Sequence, residues 1–418
     1  MNSRQRLQAA LAHRAPDRVP VEFSATPVTG MHVTCVAALR QHYGLEQRPV
    51  KVWEPYQMLG AIDPDLHEAL GLDVVGIGGR TTIFGFPNEN WQERVLPWGQ
   101  RALVSEHFRT TVDANGDLLL YPCGDTAAPP SGRMPVGGFY FDTIIRQESL
   151  VEEKLDPQDN LEEFGPISAQ DLEHIRREVA RIAGSPCGRI GCFGGTGFGD
   201  IALVPAPFLR RPRGIRDVEE WYVSTVTRRD YLHRVFARQC EHALENLARI
   251  HAVVGDAIDV LYVCGTDFGT QISTFCSPET FGDLYAPYYR QVNDWVHRHT
   301  SWKTFKHSCG AVGSLLEPFI ASGFDILNPV QCSARGMEPR ALKDRYGDRL
   351  VFWGGGVDTQ RALPFGTPEE VRRQVLERCD VFGRDGGFVF NAIHNVQMNT
   401  PVANIVAMFD AVREHNGQ

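Results

Sequence analysis

The chain has 418 residues, 43% apolar and 22% charged, which suits a globular fold with a large core and excludes intrinsic disorder. A formal net charge of −9 and the lack of any Lys/Arg-rich stretch exclude a phosphate-backbone partner, so no nucleic acid is expected. No apolar run is long enough to span a membrane, and the charged N-terminus lacks the apolar core of a secretory signal; with 10 cysteines in no dense framework, this predicts a cytoplasmic protein with free thiols.

In chain order, eight short β-branched runs read as strands: Val19–Phe23, Asp73–Ile77, Arg189–Phe193, Asp259–Val263, Thr304–Lys306, Asp325–Val330, Leu350–Trp353 and Gly387–Asn391. From about residue 160 onward helical segments separate most of them, the pattern of βα units. This predicts an α/β fold, a (β/α)8 TIM barrel forming one domain over residues 1–418, in preference to an open doubly wound sheet. The interval of residues 80–165, between strands two and three, is too long for a βα connection. Within it Ala102–Val112 and Asp117–Tyr121 flank the turn sequence Asp113-Ala114-Asn115-Gly116, which predicts a β-hairpin in an insertion over the barrel mouth. That hairpin also offers a surface for a homodimer.

Helix starts are legible at Ser277-Pro278, Thr367-Pro368 and Thr400-Pro401, where a hydroxyl cap precedes a proline that has no amide to satisfy. After Ser277, Phe281, Leu284, Tyr285, Tyr288, Val292, Trp295 and Val296 form one apolar stripe. A long helix is expected near residues 228–254, and Gly383 is expected to close the helix begun at Thr367.

In such a barrel, chemistry belongs at the C-terminal strand ends. Strand four ends in Cys264-Gly265-Thr266-Asp267, five in His307-Ser308-Cys309-Gly310, and six in Asn328-Pro329-Val330-Gln331-Cys332. Strand seven runs into Gly354-Gly355-Gly356-Val357-Asp358-Thr359-Gln360 and strand eight into Asn391-Ala392-Ile393-His394-Asn395. His307 and Cys309, two apart, can leave the backbone on one side and meet one ion. A catalytic zinc site commonly uses three protein ligands; His394 is the best-placed third, with Cys332, Cys264 and Asp267 as the other candidates. Thiolate and imidazole favour zinc over magnesium or calcium.

Two glycine-rich stretches carry weaker signals. Gly194-Gly195-Thr196-Gly197-Phe198-Gly199 lacks the Lys-Ser/Thr of a P-loop and the full dinucleotide fingerprint, so it reads as an active-site turn. At Gly354-Gly355-Gly356, close approach of substrate to backbone is expected. Asp65-Leu66-His67-Glu68-Ala69-Leu70-Gly71 resembles the D-x-H-x-x-G signature of corrinoid-binding domains, but its glycine is one residue late and it reads as a solvated helix end.

Ser3-Arg4 through Leu11 and Pro16-Asp17-Arg18-Val19-Pro20-Val21 resemble the opening of the uroporphyrinogen decarboxylase superfamily. His307-Ser308-Cys309-Gly310, Gly366-Thr367-Pro368-Glu369-Glu370-Val371 and Asn399-Thr400-Pro401-Val402-Ala403-Asn404-Ile405 match its later motifs in order and spacing. The resemblance implies the (β/α)8 barrel. The arginine-rich stretch after strand one and the aspartate after strand two, which the true decarboxylases carry, are replaced here by Ser24-Ala25-Thr26-Pro27-Val28-Thr29 and Gly78-Gly79-Arg80.

The zinc-dependent methyltransferase branch, which moves methyl groups between cobalamin and a thiol or methylated donor, is more similar. Its zinc ligands are an H-x-C pair and a later Cys; His307 and Cys309 match the pair, and His394 falls where that Cys would be. The resemblance thus implies zinc on His307, Cys309 and His394, a small O- or N-methylated substrate, and a corrinoid carried by a separate partner protein. Asp267 and Asp358 are expected in catalysis; Asn328, Gln331, Gln360 and Asn391 are expected to orient the substrate or the ligands. The alternatives are a divergent decarboxylase-like lyase acting on a tetrapyrrole or other carboxylated substrate, and a non-catalytic corrinoid- or substrate-binding barrel.

Overall fold

Seven of the eight expected strands pair in one all-parallel sheet, in the computed structural model, which describes residues 1–161 and 165–418. They are Val74–Gly78, Gly188–Cys192, Val260–Cys264, Lys303–His307, Ile326–Asn328, Val351–Trp353 and Phe388–Val389, each beside its neighbour in sequence. Both faces are apolar, as parallel strands covered on two sides require. Val260, Phe305, Ile326, Val351, Trp353 and Val389 fill the inner layer, while the alternating Leu261, Val263, Leu327, Phe352 and Phe388 pack in the outer one. Leu7 and Leu11 of the helix Ser3–Leu11 join the inner layer, and Arg4 N donates to Pro186 O beside the start of Gly188–Cys192. This helix therefore blocks the N-terminal end of the strands and leaves the C-terminal end open.

The eighth expected strand, Val19–Phe23, is instead an extended segment with one isolated parallel bridge, Val21 to Phe390. Phe390 N donates to Pro20 O and Glu22 N to Phe390 O, while Asp73 N donates to Val21 O, so the segment lies between the two sheet edges. Pro20 interrupts the ladder because it has no N–H to give. The buried Asp73 carboxylate takes over part of its work, accepting from Val21 N at 3.0 Å and pairing with Arg6 and Arg18.

Ser277 and Thr367 cap the helices Pro278–Leu284 and Pro368–Phe382 as expected, the second through a capping box with Glu370. Gly383 is that helix's C-cap, with φ −71° rather than a left-handed value. The apolar stripe after Ser277 belongs to two helices, Pro278–Leu284 and Ala286–His299, broken at Tyr285 because Pro287 cannot donate into the preceding turn. Thr400 does not cap: its hydroxyl donates to Gln397 O and Pro401 precedes the helix Val402–His415. The long helix is Arg229–Val254, and Pro64–Leu70 ends at Gly71 with φ 70°. No described helix is long and apolar enough to cross a membrane, and all 10 cysteines are unpaired.

Between the first two sheet strands lie parts of two small sheets. One orders Leu59–Gly60, Val50–Glu54, Arg101–Val104 and Gln92–Val95; the other is an antiparallel meander of Thr110–Val112, Leu118–Leu120, Gly132–Met134 and Asp142–Thr143. The expected hairpin forms, with Val112 opposite Leu118. The expected run Ala102–Val112 divides between the two sheets, broken at Ser105, whose hydroxyl donates to Pro87 O and accepts from His107 N. Residues 162–164 of the expected insertion lie outside the described residues.

Candidate metal centre

His307, Cys309 and His394 converge at the open end, their ligand atoms all within 4.8 Å of one another. His307 ends Lys303–His307, and His394 follows Phe388–Val389, three strand positions away. In a flat sheet three spacings would put them about 14 Å apart, so only the curl of the sheet brings the side chains together. His307 Nε2 lies 3.5 Å from Cys309 Sγ, and the two imidazoles stand edge to face at 5.4 Å between centroids.

The pairing register places Asn328 beside His307. Asn328 Oδ1 sits 2.7 Å from His307 Nδ1, and Asn328 Nδ2 donates to Trp353 O at 2.8 Å, which orients the amide. His307 therefore carries its proton on Nδ1 and presents the Nε2 lone pair to Cys309. Burial pushes His307 down to about 4 and, with His307 beside it, His394 down to about 4, so both rings are neutral donors at neutral pH. Burial and the adjacent Asp267 carboxylate push the Cys309 thiol well above its usual value. A thiolate there needs a cation. Two neutral imidazoles and one thiol beside a carboxylate form a donor set that fits a divalent, borderline-soft ion.

Asp267 Oδ1 accepts from Cys309 N at 2.7 Å and lies 3.6 Å from His307 Nε2. Gln331 Oε1 accepts from Gly310 N at 2.7 Å, and Ser308 Oγ from Phe268 N at 2.9 Å, so the H-S-C-G turn is held on three sides. At Gly310, with φ 91°, an added Cβ would stand 2.3 Å from the Gly269 carbonyl carbon; the two loops touch backbone to backbone. Over the centre opens a cleft of about 290 Å3, lined by Cys309, His394, Gln331, Gln360, Thr359, Ile393 and the loop Gly269–Gln271. Gln271 Nε2 donates to Gln360 Oε1 across its mouth. No residue of 80–165 is among those lining it.

Other expected site residues lie apart from the cleft. Asp358 caps a turn, its carboxylate accepting from the amides of Gln360 and Arg361. Asn391 is buried and donates to Glu22 O. Cys264 is buried against Gly197, and Cys332 Sγ lies 3.3 Å from Val330 O, both outside the ligand group. Gly356 approaches backbone rather than cleft: an added Cβ would meet the Phe390 ring at 2.3 Å and Asn391 O at 2.8 Å.

Two neighbours escaped the sequence reading. Lys306, fully buried, donates from Nζ to Thr266 O at 2.6 Å and to His307 O at 2.7 Å, tying the strand end that carries Asp267 to the one that carries the H-x-C pair. A lysine inside an otherwise buried strand was the available signal. Asp200 follows the glycine-rich turn after Gly188–Cys192; burial, with Asp267 nearby, pushes it up to about 6. The turn needs glycine at Gly199, where φ is 60° and an added Cβ would meet Trp221 Nε1 at 3.0 Å.

Among known proteins, the model of the family described as Uroporphyrinogen decarboxylase (URO-D) matches residues 206–415, half of the chain. A uroporphyrinogen decarboxylase of Psychromonas ingrahamii is 32% identical over 87 residues, 20% of this chain and 24% of that one. One of Coxiella burnetii is 28% identical over 101 residues, 24% of this chain and 26% of that one, so the matches span about a quarter of these relatives. A solved methyltransferase from Methanosarcina mazei superposes with a TM-score of 0.53 over 99% of both chains at 15% identity, which shows a shared fold. On the family match, the chain belongs to the uroporphyrinogen decarboxylase family.

Proposed function

We propose that the protein is a zinc-dependent methyltransferase that moves a methyl group between a small O- or N-methylated substrate and a corrinoid held by a separate protein. The observation that carries this reading is the convergence of the buried His307 with Cys309 and His394, which line an open cleft. Zinc held there supplies Lewis acidity that polarises the substrate heteroatom. One thiolate and two imidazoles leave the ion more electrophilic than a two-thiolate set, which suits an oxygen or nitrogen donor rather than a thiol.

The chain's own residues prepare this chemistry. Asn328 keeps the His307 lone pair on Nε2. Gln331 fixes the Gly310 amide, and with it the turn that carries Cys309. Gln271 and Gln360 meet at the cleft mouth, where their amides can exchange their mutual hydrogen bond for bonds to a substrate. The cleft lining includes no Lys, Arg, Asp or Glu among the described residues. A polycarboxylated tetrapyrrole would find no cation in that lining, which favours the methyltransferase reading over the decarboxylase one.

The test combines metal analysis with methyl transfer. Stoichiometric zinc and transfer from an O- or N-methyl panel to a reconstituted corrinoid protein are expected, both lost in His307→Ala and His394→Ala. Protein purified without zinc after zinc supplementation, or full transfer by a His307→Ala/Cys309→Ala variant, would refute the proposal.

A further inference from the structure

The geometry points to Asp267 as a fourth protein ligand, in the substrate-free site, of the ion held by His307, Cys309 and His394, a ligand that the substrate heteroatom would displace; the inference rests on the metal reading above. Around a tetrahedral ion with Zn–N and Zn–O bonds of ~2.05–2.1 Å and a Zn–S bond of ~2.3 Å, neighbouring ligand atoms stand ~3.6 Å apart for nitrogen and sulfur and ~3.4 Å for nitrogen and oxygen. From His307 Nε2, Cys309 Sγ lies at 3.5 Å and Asp267 Oδ1 at 3.6 Å. Both atoms thus stand at about one polyhedron edge from His307 Nε2, although Asp267 lies outside the three-residue group whose ligand atoms are all within 4.8 Å of one another.

The carboxylate's surroundings fit the same role. Its one ion-pair contact among the described residues is with His307 itself, at 3.6 Å, so no Lys or Arg is paired with it. The lysine at hand, Lys306, spends its Nζ on the carbonyls of Thr266 and His307. Those two bonds hold the Asp267-bearing strand end against the H-x-C turn, and Cys309 N fixes Oδ1 at 2.7 Å. A divalent ion with one thiolate and one carboxylate would be neutralised by its own ligands, which lowers the cost of burying it.

The discriminating experiment replaces the carboxylate with a second thiolate. In zinc-loaded wild-type protein, X-ray absorption should count one sulfur and three nitrogen or oxygen neighbours; in Asp267→Cys it should count two sulfurs. The cobalt-substituted Asp267→Cys protein should show about twice the wild-type thiolate-to-cobalt absorption. Asp267→Asn keeps an acceptor for Cys309 N and so preserves the turn; its zinc Kd by chelator competition should rise at least tenfold. One sulfur in Asp267→Cys with an unchanged Kd in Asp267→Asn overturns this inference and leaves the three-ligand site standing. Wild-type protein that takes up no zinc overturns the underlying reading instead.

Discussion

Replacing Asn328 with alanine should weaken metal binding without removing a ligand. The wild-type amide accepts from His307 Nδ1 at 2.7 Å and donates to Trp353 O at 2.8 Å, in a position with no solvent exposure. Without it the Nδ1 proton has no acceptor, and the ring can shift its proton to Nε2, the atom that must face the ion. Outer-shell partners of this kind contribute roughly 10- to 100-fold in metal affinity, or about 1.4–2.7 kcal/mol. The unpaired Trp353 carbonyl should separately cost about 1–3 kcal/mol of folding stability. Asn328→Asp divides the two effects: a carboxylate still accepts from Nδ1 but cannot donate to Trp353 O, so affinity should survive while stability falls. Zinc Kd by competition with a chromogenic chelator, beside urea unfolding of the metal-free protein, reads both. An Asn328→Ala Kd within threefold of wild type, in a folded protein, would refute the argument that this amide sets the tautomer.

Three further outcomes are expected. His32, buried with Nε2 3.0 Å from Phe139 O, is held at about 4 against an ordinary 6.5; the unfolded chain binds its proton first, so stability should fall by up to about 3 kcal/mol as pH drops from 6.5 through 4. Urea midpoints at pH 7 and pH 4.5 should show a shallower dependence in His32→Asn, and equal slopes would contradict the assignment. Gly310→Ala forces a Cβ into the Gly269 backbone at φ 91° and should destabilise by at least about 2 kcal/mol, read as a lowered Tm with impaired zinc uptake. Asp73→Ala leaves the buried Arg6 and the half-buried Arg18 short of a partner and should cost about 3–5 kcal/mol by urea unfolding; a loss under 1 kcal/mol would show that the segment at Val21 does not depend on it.

What was legible in advance followed from local chemistry. Seven strands announced themselves as short β-branched runs; the convergence of the three candidate ligands was readable because His307 and Cys309, two apart at a strand end, share a side and His394 stands at another strand end. What escaped depended on partners far away in sequence. Val19–Phe23 has the composition of a strand, yet Pro20 removes the donor that a ladder needs, and only the Asp73 carboxylate reveals how the gap is bridged. The stripe from Phe281 to Val296 holds its period across Tyr285, because apolar spacing is blind to the missing amide of Pro287. The three glycines after Trp353 suggested room for substrate, whereas Gly356 in fact makes room for Phe390. Asp200 and Lys306 carry no motif; their relevance appears only when the glycine-rich turn and the strand end are folded onto Asp267 and His307.

The three strand positions that separate His307 from His394 would make an ion bound there a mechanical part as well as a chemical one. Its bonds would span a chord of the curled sheet, so any flattening of the strands between Lys303–His307 and Phe388–Val389 would stretch them. Zinc bound there would stabilise the folded chain against unfolding by about 4 kcal/mol when it stands at a thousand times its Kd. Hydrogen exchange should slow on zinc addition along Ile326–Asn328 and Val351–Trp353, strands that supply no ligand and lie under the chord.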